Sequence, residues 1–394
     1  DNIADMVRVI DDLILEVRPP KKYSPSLFLY ALADYKSAHA LDRVEVLSHE
    51  IDGDLGKDWL TRNTACYGPF RVHTWRAQDV LILERNDEWI RRENPIRRVV
   101  IRHIPEPGTQ RLMLEKGDID LAADLDPSDL SAIEENSSTY LKLTPRFSTI
   151  YMAFNRDMPT FSDPRVIRAM RYLIDYESIA STVLNKAAIV LEAPVPRGMF
   201  GALPESFSPY SKDIGKARDL LQESGAGDGF SFELLTSNSA PYPDIAQHFQ
   251  ENLLKVGVKV KITTLSSGHL FTKVRARNFQ AYIGGYGFNY PDANNVMLRF
   301  GYHPKNSEDN SVSVAWRTGW YPGEWFNATV MQAQTEPDPL KREKLYHELQ
   351  RYHVENSPII FLFQRLGIKA LSRNVESIKA TALNISYSSA VKKQ

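Results

Sequence analysis

The stretch Phe279–Phe300, FQAYIGGYGFNYPDANNVMLRF, decides how the rest of the chain is read. It starts as a short apolar run, Ala281-Tyr282-Ile283, and breaks at Gly284-Gly285. Three rings follow, Tyr286, Phe288 and Tyr290, interleaved with Gly287 and Asn289, then Pro291-Asp292 and Asn294-Asn295. Glycine tolerates left-handed backbone and proline presets φ, so these residues are turn chemistry, and a strand ending in a loop is expected. Rings and amides at a strand end suit a concave ligand wall, where ring faces supply contact and a few polar groups set orientation. An ordinary surface loop with its rings folded into the core would carry the same residues.

The flanking elements favour the ligand wall. Residues 230–235 and the alternating Val258, Val260, Ile262 read as strands, and residues 280–283 as a third. Between them lie two helical patterns, one from Pro243-Asp244 with Ile245, Phe249, Leu253 and Val256 on one stripe, the other from Ser267 to Arg277. A β-α-β-α-β order is the signature of a parallel sheet with right-handed crossovers. In open α/β sheets ligands sit beyond the carboxyl ends of the strands. The loops Thr236–Tyr242 and Tyr286–Asn295 therefore share one edge. Its candidate ligand-binding residues are Asn238, Ser239, Tyr242, Tyr286, Phe288, Asn289, Asp292 and Asn294.

Working outward, Asp163-Pro164 opens a helix with Val166, Ile167, Met170, Leu173 and Ile174 at a 3.6 period, and Asp213 caps another that ends before Gly225. Residues 70–75 and 80–85 form a hairpin by alternation, and Gly117 closes a short helix after Thr109. Residues 338–355 form an amphipathic helix, residues 358–363 a buried strand, and the tail from Ser372 reads as polar and ordinary. At 394 residues, two lobes are the natural expectation.

A net charge of −1 gives no reason to expect nucleic acid or an anionic membrane surface as partner. The mean hydropathy is −0.36, and no apolar run approaches the ~20 residues that span a bilayer. Cys66 is the single cysteine and has no histidine near it in sequence, so a packed thiol is expected. The glycines at 225, 227 and 229 follow a helix rather than a strand, the wrong context for phosphate binding. His347 and His353 sit six apart, which misses helical metal-ligand spacing. Neither catalytic residues nor a metal or cofactor is expected.

Tyr67-Gly68-Pro69-Phe70, residues 83–89 (LERNDEW), residues 116–120 (KGDID), residues 161–170 (FSDPRVIRAM) and residues 174–177 (IDYE) occur in a familiar order and spacing. Together they resemble the large solute-binding proteins of ABC importers, the family that binds dipeptides, oligopeptides and nickel. The resemblance runs from about residue 7 to residue 375. It implies a two-lobed periplasmic binding protein of type II, class C-like, with the ligand in a cleft between lobes. The implied domains are 1–45 as remnant of a small subdomain of lobe I, 46–163 as lobe I, 164–362 as lobe II and 363–394 returning to lobe I. The family carries a further N-terminal segment, so part of lobe I is expected to lie outside this sequence.

Implied partners are a small-molecule ligand and ABC permease subunits in the inner membrane, with the protein a monomer in the periplasm. A non-transport binding or signalling protein would share the same fold. Two departures bear on the ligand. Peptide-binding relatives carry an aspartate for the ligand's amino group where this chain has Asn289, and dipeptide binders carry an arginine where it has residues 237–240, SNSA. A lone buried ammonium would cost several kcal/mol. These losses point to an oligosaccharide, opine or sugar conjugate, with an oligopeptide or dipeptide as the alternative. Tyr67 replaces a family threonine and is the ninth candidate contact.

Overall fold

The computed structural model describes residues 6–19, 21–33, 40–90, 94–123, 125–305, 310–381 and 385–392. In chain order the strands are β1 (Val7–Asp11), β2 (Ile14–Val17), β3 (Phe70–Arg76), β4 (Val80–Arg85), β5 (Arg98–Arg102), β6 (Leu121–Ala122), β7 (Thr139–Phe154), β8 (Ala188–Val190), β9 (Ser231–Ser237), β10 (Lys259–Leu265), β11 (Ala281–Gly287), β12 (Ile359–Ser372), β13 (Val375–Ala380) and β14 (Ile385–Lys392). The longer helices are α1 (Pro25–Ala33), α2 (Pro107–Lys116), α3 (Pro164–Tyr172), α4 (Ile214–Glu223), α5 (Tyr242–Leu254), α6 (Ser267–Arg275), α7 (Ala293–Phe300), α8 (Glu324–Thr335) and α9 (Pro339–Asn356).

Two compact units emerge: a larger one of Asp1–Leu32 with Phe147–Arg365, and a smaller one of Ala33–Arg146 with Leu366–Gln394. The sequence places boundaries after residues 45, 163 and 362, whereas these fall after 32, 146 and 365. One cause is β7, whose run to Phe154 builds its second half into the larger unit's sheet. Another is α1, which joins the larger unit: Ser24 N–H donates to Gln334 O at 2.9 Å and Tyr30 stacks on Tyr290.

The larger unit is organised on strands in the order β10-β9-β11-β7-β12, with β8 also on β12. β9 runs parallel to β10, from Ser231↔Lys259 to Ser237↔Leu265, and parallel to β11 through Leu234↔Ala281. The β-α-β-α-β pattern predicts this arrangement. β7 pairs antiparallel with β11, from Phe154↔Ala281 to Ser148↔Gly287.

Successive side chains of a strand point to opposite faces, and here both faces are covered, which is why these strands read as nearly continuous apolar runs. Ile150, Met152 and Phe154 of β7 pack with Val166 and Met170 of α3, Leu221 of α4, and Ile245 and Phe249 of α5. Tyr151 and Ala153 face the other way, onto Val296 and Phe300 of α7, Phe326 of α8, and Tyr346 and Leu349 of α9.

Two readings of the sequence are corrected. Gly284 and Gly285 do not end the third strand, because β11 continues through them to Gly287. The tail beyond Ser372 is a hairpin, β13 against β14, that buries Val375 and Ile378 with Leu371. In the smaller unit β3, β4 and β5 form an antiparallel sheet. There α2 ends at Gly117 with φ 82°, the left-handed conformation that glycine adopts without strain. β6 pairs with the far end of β12, and Leu114, Ala122, Ile133 and Ala370 make a separate core.

Helix packing in the larger unit centres on one buried ion pair. Arg342 Nη1 donates to Asp292 Oδ2 at 2.6 Å and Nη2 to Oδ1 at 2.7 Å, with both side chains buried. The remaining donors are used as well: Nε bonds Ala333 O at 2.8 Å and Nη2 bonds the Tyr346 hydroxyl at 3.0 Å. Asp292 also caps α7 by accepting from Asn294 N–H at 2.9 Å. Removing one partner strands a desolvated charge, so Asp292→Ala should lower stability by about 3–5 kcal/mol. Asp292→Ala combined with Arg342→Met should cost far less than the sum of the two single changes. Urea unfolding followed by tryptophan fluorescence measures both.

His353 of α9 is buried, its Nε2 donating to Phe300 O at 3.1 Å. Burial, reinforced by the nearby Arg171 charge, pushes its pKa down from 6.5 to about 3. The folded state therefore holds a neutral imidazole that the unfolded chain protonates below pH ~6.5. Stability from this residue is complete above that pH and falls as pH drops toward 3, by about 2 kcal/mol at pH 5. A His353→Phe variant should show a correspondingly flatter loss of unfolding free energy between pH 7 and 5.

Candidate functional site

The carboxyl ends of β9 and β11 lie side by side because the strands are parallel. After β9 the chain turns through Asn238 and Ser239 into α5, whose first residue is Tyr242. Asn238 N–H donates to Leu265 O at 2.8 Å and Ser239 N–H to Ser237 Oγ at 3.2 Å, so the backbone is tied down while both side chains stay exposed. Tyr242 reaches back across the sheet edge. Its hydroxyl would lie 2.2 Å from a Cβ built on Gly285, a distance no side chain tolerates. Gly285 is thus a strand residue that leaves room for a ring from the neighbouring loop.

The Tyr242 hydroxyl accepts from Arg365 Nη2 at 2.6 Å, and the guanidinium carbon stands 5.2 Å from the Tyr242 ring centre. Arg365 is half-buried on β12 and was not among the candidates. It lies midway along β12, just after the apolar run Ile359–Phe363, and nothing in its local pattern marks it.

On the β11 side, Tyr286 is half-buried, 5.0 Å from the Phe288 ring, with the Arg299 guanidinium 5.1 Å from its own centre. Asn289 is exposed. Ser148 is the β7 partner of Gly287, and its hydroxyl oxygen is buried without a hydrogen-bond partner.

Three candidates are placed elsewhere. Phe288 is 3% exposed and packs in the core with Phe300. Asp292 is consumed by Arg342 and by its helix cap. Asn294 donates to the Tyr290 hydroxyl at 3.2 Å and accepts from Tyr346 at 3.5 Å, also in the core. Tyr67 lies in the smaller unit, exposed, with its phenol raised by partial desolvation and by the Asp42 carboxylate. The edge of the larger unit thus brings together Asn238, Ser239, Tyr242, Tyr286 and Asn289, with Arg365 and Ser148 added. Among the described residues no group of three His, Cys, Asp or Glu could hold a metal ion, and no helix is long and apolar enough to cross a membrane.

Gly285→Ala should drive the Tyr242 ring off Arg365 and lower stability by about 1–3 kcal/mol through overpacking. Tyr242→Phe removes the clashing hydroxyl, so the double variant should recover much of that loss. A double-mutant cycle by urea unfolding reads the coupling.

The sequence profile described as bacterial extracellular solute-binding proteins, family 5 middle, matches residues 1–308. The chain is 23% identical over 349 residues to the probable D,D-dipeptide-binding periplasmic protein DdpA of Escherichia coli K12, covering 89% of this chain and 66% of that protein. It is 24% identical over 315 residues to the glutathione-binding protein GsiB of Salmonella typhimurium, covering 78% of this chain and 60% of that one. The chain therefore spans less than two thirds of the length of these curated relatives. The solved structure of HbpA2 from Haemophilus parasuis superposes with a TM-score of 0.86 at 22% identity, over 98% of this chain and 75% of that one. A profile matched over most of the sequence, on a fold shared with HbpA2, makes this chain a member of the bacterial extracellular solute-binding proteins, family 5.

Proposed function

We propose that the protein is the periplasmic receptor of an ABC importer and that it captures a short peptide, handing it unchanged to a membrane permease. The observation that carries the reading is the shared edge of β9 and β11, where the Tyr242 ring closes over Gly285 among exposed amides and hydroxyls. That mixture of ring faces and a few polar groups is the make-up of a small-molecule site.

Relatives named for D,D-dipeptide and glutathione favour a peptide over the oligosaccharide, opine or sugar conjugate that the sequence departures suggest. The departure at Asn289 is compatible with a peptide. The desolvation penalty applies to a buried ammonium, whereas Asn289 is exposed, where water hydrates a cation and the amide oxygen still accepts from it.

Calorimetry with di- to pentapeptides and with neutral oligosaccharides should show binding of peptides alone. Asn289→Asp should bind free-amino peptides as tightly as wild type or up to about tenfold more tightly, since an added carboxylate strengthens a hydrogen bond to ammonium. N-acetylated peptides should bind that variant more weakly than wild type. Saturable sugar binding without peptide binding would return the protein to a neutral ligand.

A further inference from the structure

Arg365 is half-buried, and its surroundings differ from those of the buried cations of the larger unit. Arg342 meets Asp292, Arg171 donates to the carbonyls of Ser357 and Ile359, and Arg317 donates to those of Ser311 and Val312. The partner found for Arg365 is the Tyr242 hydroxyl, and among the described residues no carboxylate pairs with it. A guanidinium carries five donors in a planar fork, and a single phenol oxygen uses one of them. The fork is also held in place: Tyr242 is fixed as the first residue of α5 and fitted against Gly285.

Two further features at the same edge favour an anion. α5 is a thirteen-residue helix that opens on Tyr242 with no side-chain cap, so its positive end lies at this edge, offset in part by Asp244 in its first turn. Ser148 sits two residues before Ile150 on β7, hence on the face where Ile150, Met152 and Tyr242 pack together, and its buried hydroxyl lacks a partner. Held cation, helix terminus and unused hydroxyl converge on the carboxyl edge of the sheet.

We infer that Arg365, positioned by Tyr242, is the residue that anchors a carboxylate of the ligand and selects anionic peptides over their neutral counterparts. This deepens the reading of a peptide receptor and rests on it. The carboxylate belongs either to the peptide's C-terminus or to an acidic side chain, and the fork serves both through the same bidentate contact.

The test uses the whole chain and three peptides measured by calorimetry: trialanine, trialanine amide and Ala-Glu-Ala amide. Wild type should bind trialanine at least tenfold more tightly than its amide. Arg365→Gln should bring that ratio to within twofold while leaving the amide's affinity within twofold of wild type. Arg365→Lys, which keeps the charge without the fork, should retain part of the preference and serves as the second variant if Gln does not fold. Tight binding of Ala-Glu-Ala amide, lost in the same variants, assigns the contact to a side-chain carboxylate. Equal weakening of acid and amide by Arg365→Gln, or no weakening of either, overturns the inference.

A second arm is independent of peptide capture. N-acetylglycine at millimolar concentration should raise the melting temperature of wild type but not of Arg365→Gln, and N-acetylglycinamide should raise neither. Failure of every peptide to bind, with this discrimination intact, sinks the peptide reading and leaves the anion site standing. Absence of discrimination between N-acetylglycine and its amide in wild type sinks the anion site.

Discussion

The buried pair of Asp292 and Arg342 is the contact on which the larger unit depends. Taking two charges out of water costs several kcal/mol each, and only close geometry with every remaining donor used offsets that cost. Here the guanidinium makes both parallel bonds to the carboxylate, another to Ala333 O where α8 nears its end, another to Tyr346 one turn along α9, and a longer one to Ser26 at the start of α1. Phe200 and Tyr346 each place a ring 4.9 Å from its carbon. One side chain thus ties together four segments separated by up to 316 residues. It also anchors the start of α7, because Asp292 is at once ion-pair partner and helix cap.

That pair bears directly on the carboxyl edge of β9 and β11. The chain leaves β11 at Gly287, passes Phe288 into the core and reaches Asp292 within five residues. With Phe288 and Asp292 both anchored, the intervening Asn289 is presented outward from a loop held at both ends. Opposite it, Tyr242 is held by a glycine that leaves it space and an arginine that bonds its hydroxyl. The exposed polar groups of this edge are thereby carried on backbone that is already tied down.

The same residues show how alike structural and ligand-facing chemistry look in a sequence. Asp292, Asn294 and Phe288 have the composition of a ligand wall, and each is committed to the interior. Arg365 is unremarked in its apolar strand, and its described partner, the Tyr242 hydroxyl, carries no charge. A carboxylate in a turn and an arginine after a buried strand acquire their roles from distant partners. Arg342 lies 50 residues from Asp292, and Tyr242 lies 123 from Arg365.

By itself the sequence determined most of the helices and strands around β9, β10 and β11, the parallel pairing of those three strands, the edge on which two loops meet, and membership of the family. Those features rest on local periodicity, chain order and handedness, which each segment carries within itself. Only the tertiary structure decided that Gly284 and Gly285 lie within β11, because that depends on pairing with Tyr151 and Ile150 of β7, far away in the chain. The same holds for the hairpin β13–β14, whose exposed polar residues hide a thin apolar face that is buried against Leu371, Leu121 and Tyr140. It holds above all for the charges. Periodicity reports which face of an element is buried, but whether a buried or half-buried charge is neutralised depends on side chains far away in the chain. For Asp292 the neutralising arginine is present, and for Arg365 the partner among the described residues is a hydroxyl.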